Sequence, residues 1–209
     1  MALEIAPKTT VHPVLNSKLI TAVAQQTKFF GQQGAAAPVT SRAAIVDLIK
    51  TTDPIKLLYF FCHANTVGAD PFTAAPSTSA SLLVDDLPLT IDEMAHLPVP
   101  ALAGSPLVFL NACSSAQGDS AFQSAFVEHF MKRWAARGVV GTDWEIPTAF
   151  ADLFARRVLE KLLVEERPLG DAFHQVTLEA MKDWNPFGLI YAIYAPPEIV
   201  ATHPKENLP

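Results

Sequence analysis

Two short apolar runs, each closing on a reactive side chain, constrain this chain more than any other feature: LLYFFCHAN at Leu57 to Asn65 and PLVFLNACSS at Pro106 to Ser115. Both are too short for an ordinary helix and are rich in Val, Leu, Phe and Tyr, the pattern of parallel strands buried on both faces. His63 and Cys113 then fall where two such strands end. In open α/β sheets ligands bind at the carboxyl ends of the strands, so an imidazole and a thiol delivered to one rim have the makings of a base and its nucleophile.

A chain of 209 residues suits one well-packed core. Half the residues are hydrophobic and 17% are charged, which marks a folded globular chain, while 17 prolines predict ordered loops and punctuated helices. The net charge of −6 comes with no Lys/Arg-rich run, so neither nucleic acid nor an anionic membrane is an expected partner. Apolar stretches are of strand length, far short of the roughly 20 residues of a transmembrane helix. The start MALEIAPKTT lacks the basic end and apolar run of a secretory signal, and a cytoplasmic location is expected. Cys62 and Cys113 form no CxxC pair. Cys62 precedes His63 directly, so on a strand it faces the other side and reads as core, and no disulfide is expected.

Helices and strands alternate along the chain. Residues 1–40 read as a Pro-containing lead followed by a helix capped by Asn16-Ser17 and carrying Leu19, Ile20, Val23 and Ala24. Thr40-Ser41 opens a second helix with Ile45, Val46, Leu48 and Ile49 on its inner face, stopped by TTDP. A strand from Ile55 to Cys62 follows, then an aperiodic loop from Val67 to Ala80, a small strand and turn between Ser81 and Thr90, and a capping box at Thr90 to Glu93. The second apolar strand runs to Ala112. Beyond it Phe122, Phe126, Phe130 and Trp134 recur at four-residue intervals, the thick apolar face of a core helix. GVVGT (Gly138 to Thr142) reads as a third buried strand ending in the loop Asp143-Trp144-Glu145-Ile146-Pro147. A helix from Thr148 to about Val164, another to Trp184 and a last strand from Leu189 to Ala195 complete an α/β sandwich with a mostly parallel sheet. The expected division is a lead and helix at 1–40, the main domain at 41–197 and a polar tail at 198–209.

A thiol becomes a useful nucleophile when a base or a positive dipole lowers its pKa, and Cys113 is followed by the small residues Ser114, Ser115, Ala116, Gln117 and Gly118. Taken singly, a strand-end Cys is most often inert packing; His63 beside it carries the reading. His12, His96, His129, His174 and His203 lack partners at metal-ligand spacing, so no metal and no cofactor is expected. No GxSxG elbow or Gly-rich phosphate loop is present. Asp143 and Glu145 flank Trp144 and read either as a solvated loop or as the wall of a pocket for a cationic side chain.

The order of these segments resembles a known family. Phe60-Phe61-Cys62-His63, Leu82 to Thr90, Val108 to Ser115, Gly138 to Pro147 and a late FGLIYAIYA are similar, in that order, to the CHAT domain, a caspase-like group of the clan that includes separase and metacaspases. The spacing agrees, with a histidine about 50 residues before the cysteine as in caspases. The resemblance covers roughly Ser41 to Ala195. It implies a three-layer caspase-like α/β/α sandwich, His63 as base, Cys113 as nucleophile and the loop Asp143-Trp144-Glu145 lining the substrate cleft. It also implies oxyanion contacts from the backbone N–H groups of Ala64 and Cys113. Ala64 is a departure, because relatives usually carry glycine after the histidine.

The expected function is therefore a cysteine endopeptidase acting on a protein substrate and held latent until a partner or ligand orders the segment after His63. Its expected partners are that substrate and an activating or helical-repeat protein, since CHAT domains commonly sit behind helical repeats in longer proteins. Two rivals remain: a silent caspase-like scaffold that binds proteins, and an acyl-transfer or hydrolytic enzyme using the same dyad on a small molecule.

Overall fold

The computed structural model describes residues 2–4, 11–17, 19–66, 80–85, 87–98, 101–114 and 126–202, with backbone alone at 2–4, 65, 66, 113 and 114. The two apolar runs are the central strands β3 (Leu57–Thr66) and β6 (Leu107–Ser114). They lie side by side and parallel. On the far side of β6 comes β7 (Gly138–Thr142), also parallel, and then β8 (Tyr191–Tyr194), antiparallel. On the other side of β3, β2 (Val11–Leu15) runs parallel to its first half, while β4 (Ala80–Val84) runs antiparallel to its last four residues and pairs in turn with β5 (Leu87–Thr90). Relative to β3, five of the seven strands point one way and two, β4 and β8, point back. A separate parallel pair joins β1 (Ala2–Glu4) to β9 (Val200–Thr202).

Period-two geometry divides the sheet's side chains between two cores. Leu57, Tyr59, Phe61, Phe109 and Val140 face one side, where they meet α1 (Ile20–Gln32), α4 (Thr148–Leu163) and α5 (Leu169–Lys182). Leu58, Phe60, Cys62, Val108, Leu110 and Val139 face the other, against α2 (Arg42–Ile49), Met94 of α3 (Ile91–His96) and the buried residues Phe126, Phe130 and Trp134. These are the three layers of an α/β/α sandwich. Each large apolar side chain so buried contributes about 1.5–3 kcal/mol.

Local signals set the element ends. The Ser41 hydroxyl caps α2 by accepting from the Ala44 N–H, and Thr90 and Glu93 form the reciprocal capping box of α3. The cap expected from Asn16-Ser17 is not made, because the Asn16 amide donates instead to the Leu83 carbonyl and Ser17 to the Asp85 carboxylate, leaving α1 without a side-chain cap. Those two contacts pin the end of β2 to the β4 hairpin.

Both apolar strands run further than their composition predicts. β3 continues past Cys62 to Thr66 because β4 folds back and pairs with residues 63–66, and β6 continues to Ser114 alongside it. The N-terminal lead contains a strand of the central sheet, β2, whose Pro13 is tolerated at an edge. The last strand is shorter than expected, since Pro186–Ile190 form a 3₁₀ turn capped by Asn185 before β8 begins. Residues 67–79 of the expected loop, and Phe122 of the expected helix, lie outside the described residues.

Candidate active site

β3 and β6 stay in register from Leu57 beside Leu107 to Ala64 beside Ser114. His63 pairs with Cys113 in this register, which sets their Cα atoms about 4.8 Å apart, the spacing of adjacent strands. Partners in a parallel register share a face of the sheet, and this is the face covered by α1, α4 and α5, because Phe61 and Tyr59 stand on it two and four residues earlier. His63 is half-buried. Cys62 is wholly buried among the apolar residues of the opposite face.

Ala64 lies within the ladder, beside Leu82 of β4 and Ser114 of β6, and is fully buried. Its backbone is not left-handed, so alanine in place of glycine creates no strain here. Asp143, Trp144 and Glu145 follow β7 directly and are all exposed, Trp144 to 59%. The Asp143 N–H donates to the Ile190 carbonyl at 2.9 Å, anchoring the root of this loop on the turn before β8. One residue earlier, the Thr142 hydroxyl donates to the Ala112 carbonyl at 3.2 Å, so the loop starts beside the peptide that precedes Cys113.

Beneath the paired residues lies a polar group to which the sequence reading gave no role. Asn111 is fully buried, and its amide donates to the Tyr59 hydroxyl at 3.0 Å and to the Ala151 carbonyl at 2.9 Å, while its oxygen accepts from the Tyr191 hydroxyl at 2.7 Å. A carbonyl can only accept, which fixes the amide's orientation and makes Tyr191 the donor. One side chain thus ties β6 to β3, α4 and β8. The sequence signal was an asparagine inside an apolar strand, where an amide needs partners to be tolerated.

A second polar contact holds α1 to α4. Asp152, nearly buried, accepts from the Gln26 amide at 2.8 Å and from Arg156 through two nitrogens at 3.0 and 2.7 Å. That contact raises the pKa of Arg156, chiefly through its hydrogen bond to Asp152. Beside it, a cavity of about 640 Å³ opens between the two helices, lined in part by Ile20, Thr148, Leu153 and Arg156. Among the described residues no three of His, Cys, Asp or Glu converge as a metal site, and no helix is long and apolar enough to cross a membrane.

Comparison with known proteins agrees with this fold. The CHAT domain matches residues 13–194. A curated relative from Vitiosangium sp. (strain GDMCC 1.1324), named "Probable protease", is 32% identical over 145 residues, covering 66% of this chain. The chain spans 18% of that relative's length. Two crystal structures of the Saccharomyces cerevisiae separase–securin complex are similar at 12% identity, with TM-scores of 0.61 and 0.57 over 96% and 92% of this chain. They are matched over 13% and 12% of their own chains, and at such identity the likeness is one of fold. A match that runs from within β2 to the end of β8, together with a caspase-like α/β/α sandwich, establishes that the chain belongs to the CHAT domain family.

Proposed function

We propose that the protein is a cysteine endopeptidase in which His63 and Cys113 act as a base–nucleophile dyad. The observation that carries this reading is the register of β3 and β6, which sets a histidine and a cysteine side by side on one face in a member of the CHAT family. His63 takes the thiol proton, and the Cys113 sulfur bonds to the substrate's carbonyl carbon. The C–N bond then breaks, the amine leaves with the proton held by His63, and a thioester remains on Cys113. Water, deprotonated by His63, attacks the thioester, releasing the carboxylic acid and restoring the thiol. Oxyanion stabilisation falls to backbone N–H groups near Ala64 and Cys113, where β3 and β6 end.

Cleavage after Arg or Lys belongs to the same proposal. Asp143 and Glu145 stand exposed on the loop that starts beside the peptide before Cys113, and carboxylates there favour a cationic side chain through charge-assisted hydrogen bonds. Latency completes it. The segment joining β3 to β4 follows the strand that carries His63, so an activator binding that segment acts on the base through a single strand.

The test is cleavage of a peptide library by the wild type and by Cys113→Ala and His63→Ala. Members of a dyad fail together, so each variant is expected to lose activity by at least about 10³-fold with its fold intact. Retained cleavage by Cys113→Ala removes the dyad. Cleavage after Asp or apolar residues, unchanged by Asp143→Ala and Glu145→Ala, removes the acidic subsite alone. Full turnover by the isolated chain, unaltered by any partner, removes latency.

A further inference from the structure

We propose that Asn111 is a positioning residue that holds Cys113 in line with His63, an inference that rests on the dyad reading. The β6–β7 register pairs, among the described residues, end at Phe109 and Val140, five residues short of the end of β6. Beyond that point the strand is tied on its β7 side by side chains: Asn111 through the Tyr191 hydroxyl of β8, and the Ala112 carbonyl through the Thr142 hydroxyl. Toward β3 the same Asn111 donates to Tyr59, two strand positions before Phe61 and four before His63. From above, the Ala151 carbonyl of α4 takes its other N–H.

Three of these bonds converge on one amide with no exposure to water, so they act at low dielectric, where a satisfied network fixes a single arrangement more sharply than apolar packing does. Tyr59 and Tyr191 are themselves clamped. Tyr191 stacks on Phe154 at 4.5 Å, and Tyr59 meets Phe30 at 5.0 Å and Phe109 at 5.5 Å. A leucine at position 111 fills a similar volume yet leaves the Ala151 carbonyl and the Tyr191 hydroxyl without this partner. The end of β6 then loses one of its two side-chain ties on the β7 side, two residues before Cys113, and keeps only the Thr142 hydroxyl there. Misplacement of a reacting group by about 1 Å costs on the order of 10²-fold in rate.

Alkylation of Cys113 by iodoacetamide, followed by mass spectrometry across pH in the full chain carrying Cys62→Ala, reads the coupling of thiol and imidazole without needing the natural substrate. With Asn111 intact, His63 is expected to depress the thiol's titration below the free value of about 8.5. In Asn111→Leu the midpoint is expected to move up toward that value and the rate at pH 7 to fall about 10- to 100-fold, with Tyr191→Phe, which removes a single hydroxyl, moving it part of the way. Adding His63→Ala to Asn111→Leu is expected to change little further, since both act through one coupling. Variants that lower only the melting temperature and leave the alkylation profile in place overturn the proposal. If Asn111→Leu fails to fold, Tyr191→Phe decides the question alone. If His63→Ala by itself leaves the profile unmoved, the dyad reading falls and this proposal with it, an outcome read without any Asn111 variant.

Discussion

At the scale of single residues, the two cysteines show how alternation along a strand decides chemistry. Cys62 and Cys113 differ in face as well as position: Cys62 is sealed in the α2-side core, while Cys113 pairs with His63 on the other side of the sheet. The control for any labelling experiment is therefore Cys62→Ala, since a serine there buries a hydroxyl in this apolar core at a cost of about 1–3 kcal/mol. Cys62→Ala is expected to keep peptide cleavage within about twofold of wild type while unfolding at a lower temperature. Gly138 makes a second point. A Cβ at this first residue of β7 comes 2.3 Å from the Ala195 Cβ and 2.8 Å from its Cα, so the start of β7 closes against the end of β8 only without a side chain. Gly138→Ala is expected to destabilise the fold by about 1–3 kcal/mol, read as a shift in the denaturant midpoint. The face of Cys62 was legible in the sequence because it depends on its own neighbour, His63. The role of Asn111 was not, because its partners Tyr59, Ala151 and Tyr191 lie 52, 40 and 80 residues away along the chain.

At the scale of elements, the runs with strong local pattern formed where periodicity places them, and departures follow from tertiary pairing. GVVGT is a strand with every residue buried, and the capping box at Thr90 opens α3. β3 outran its apolar stretch because β4 supplied a partner, an event no local window records. The aromatic helix differs in kind. Its described end is a π-helical turn, His129–Arg133, in which the Trp134 N–H reaches the His129 carbonyl at 3.1 Å, and the wider turn keeps Phe126, Phe130 and Trp134 together against the sheet. That turn also buries His129, whose ring lies 4.4 Å from that of Trp134. Burial, aided by the nearby Arg133, pushes the His129 pKa down to about 4. The unfolded chain takes up the proton near pH 6.5 and the folded one near 4, so burying this ring carries no penalty above about pH 6.5, lowers stability progressively as the pH drops through this window, and adds nothing further below it. His129→Leu is expected to flatten that part of the melting-temperature profile. A profile between pH 7 and 4 identical to that of the wild type contradicts the assignment.

At the scale of the whole molecule, the N-terminal segment is integral to the sheet that carries the site. β2 pairs with Leu57 through Phe61 of β3, and Phe30 of α1 is buried against Tyr59. Deleting residues 1–40 is expected to expose that edge of β3 and yield an insoluble or unfolded chain, checked by circular dichroism and gel filtration. A cooperatively folded product contradicts this. The fold class was legible because buried strands alternate with amphipathic helices; β1, β2 and β9 were not, being three to five residues long and defined by their partners in the sheet. The arrangement brings a histidine from one parallel strand beside a cysteine from the next, on the face roofed by α1, α4 and α5. Mapping the adduct of an electrophilic peptide probe by mass spectrometry tests that arrangement most directly. A single thioether on Cys113 is expected, lost in His63→Ala and preserved in Cys62→Ala; an adduct on Cys62, or one on Cys113 whose rate is indifferent to His63→Ala, contradicts the dyad.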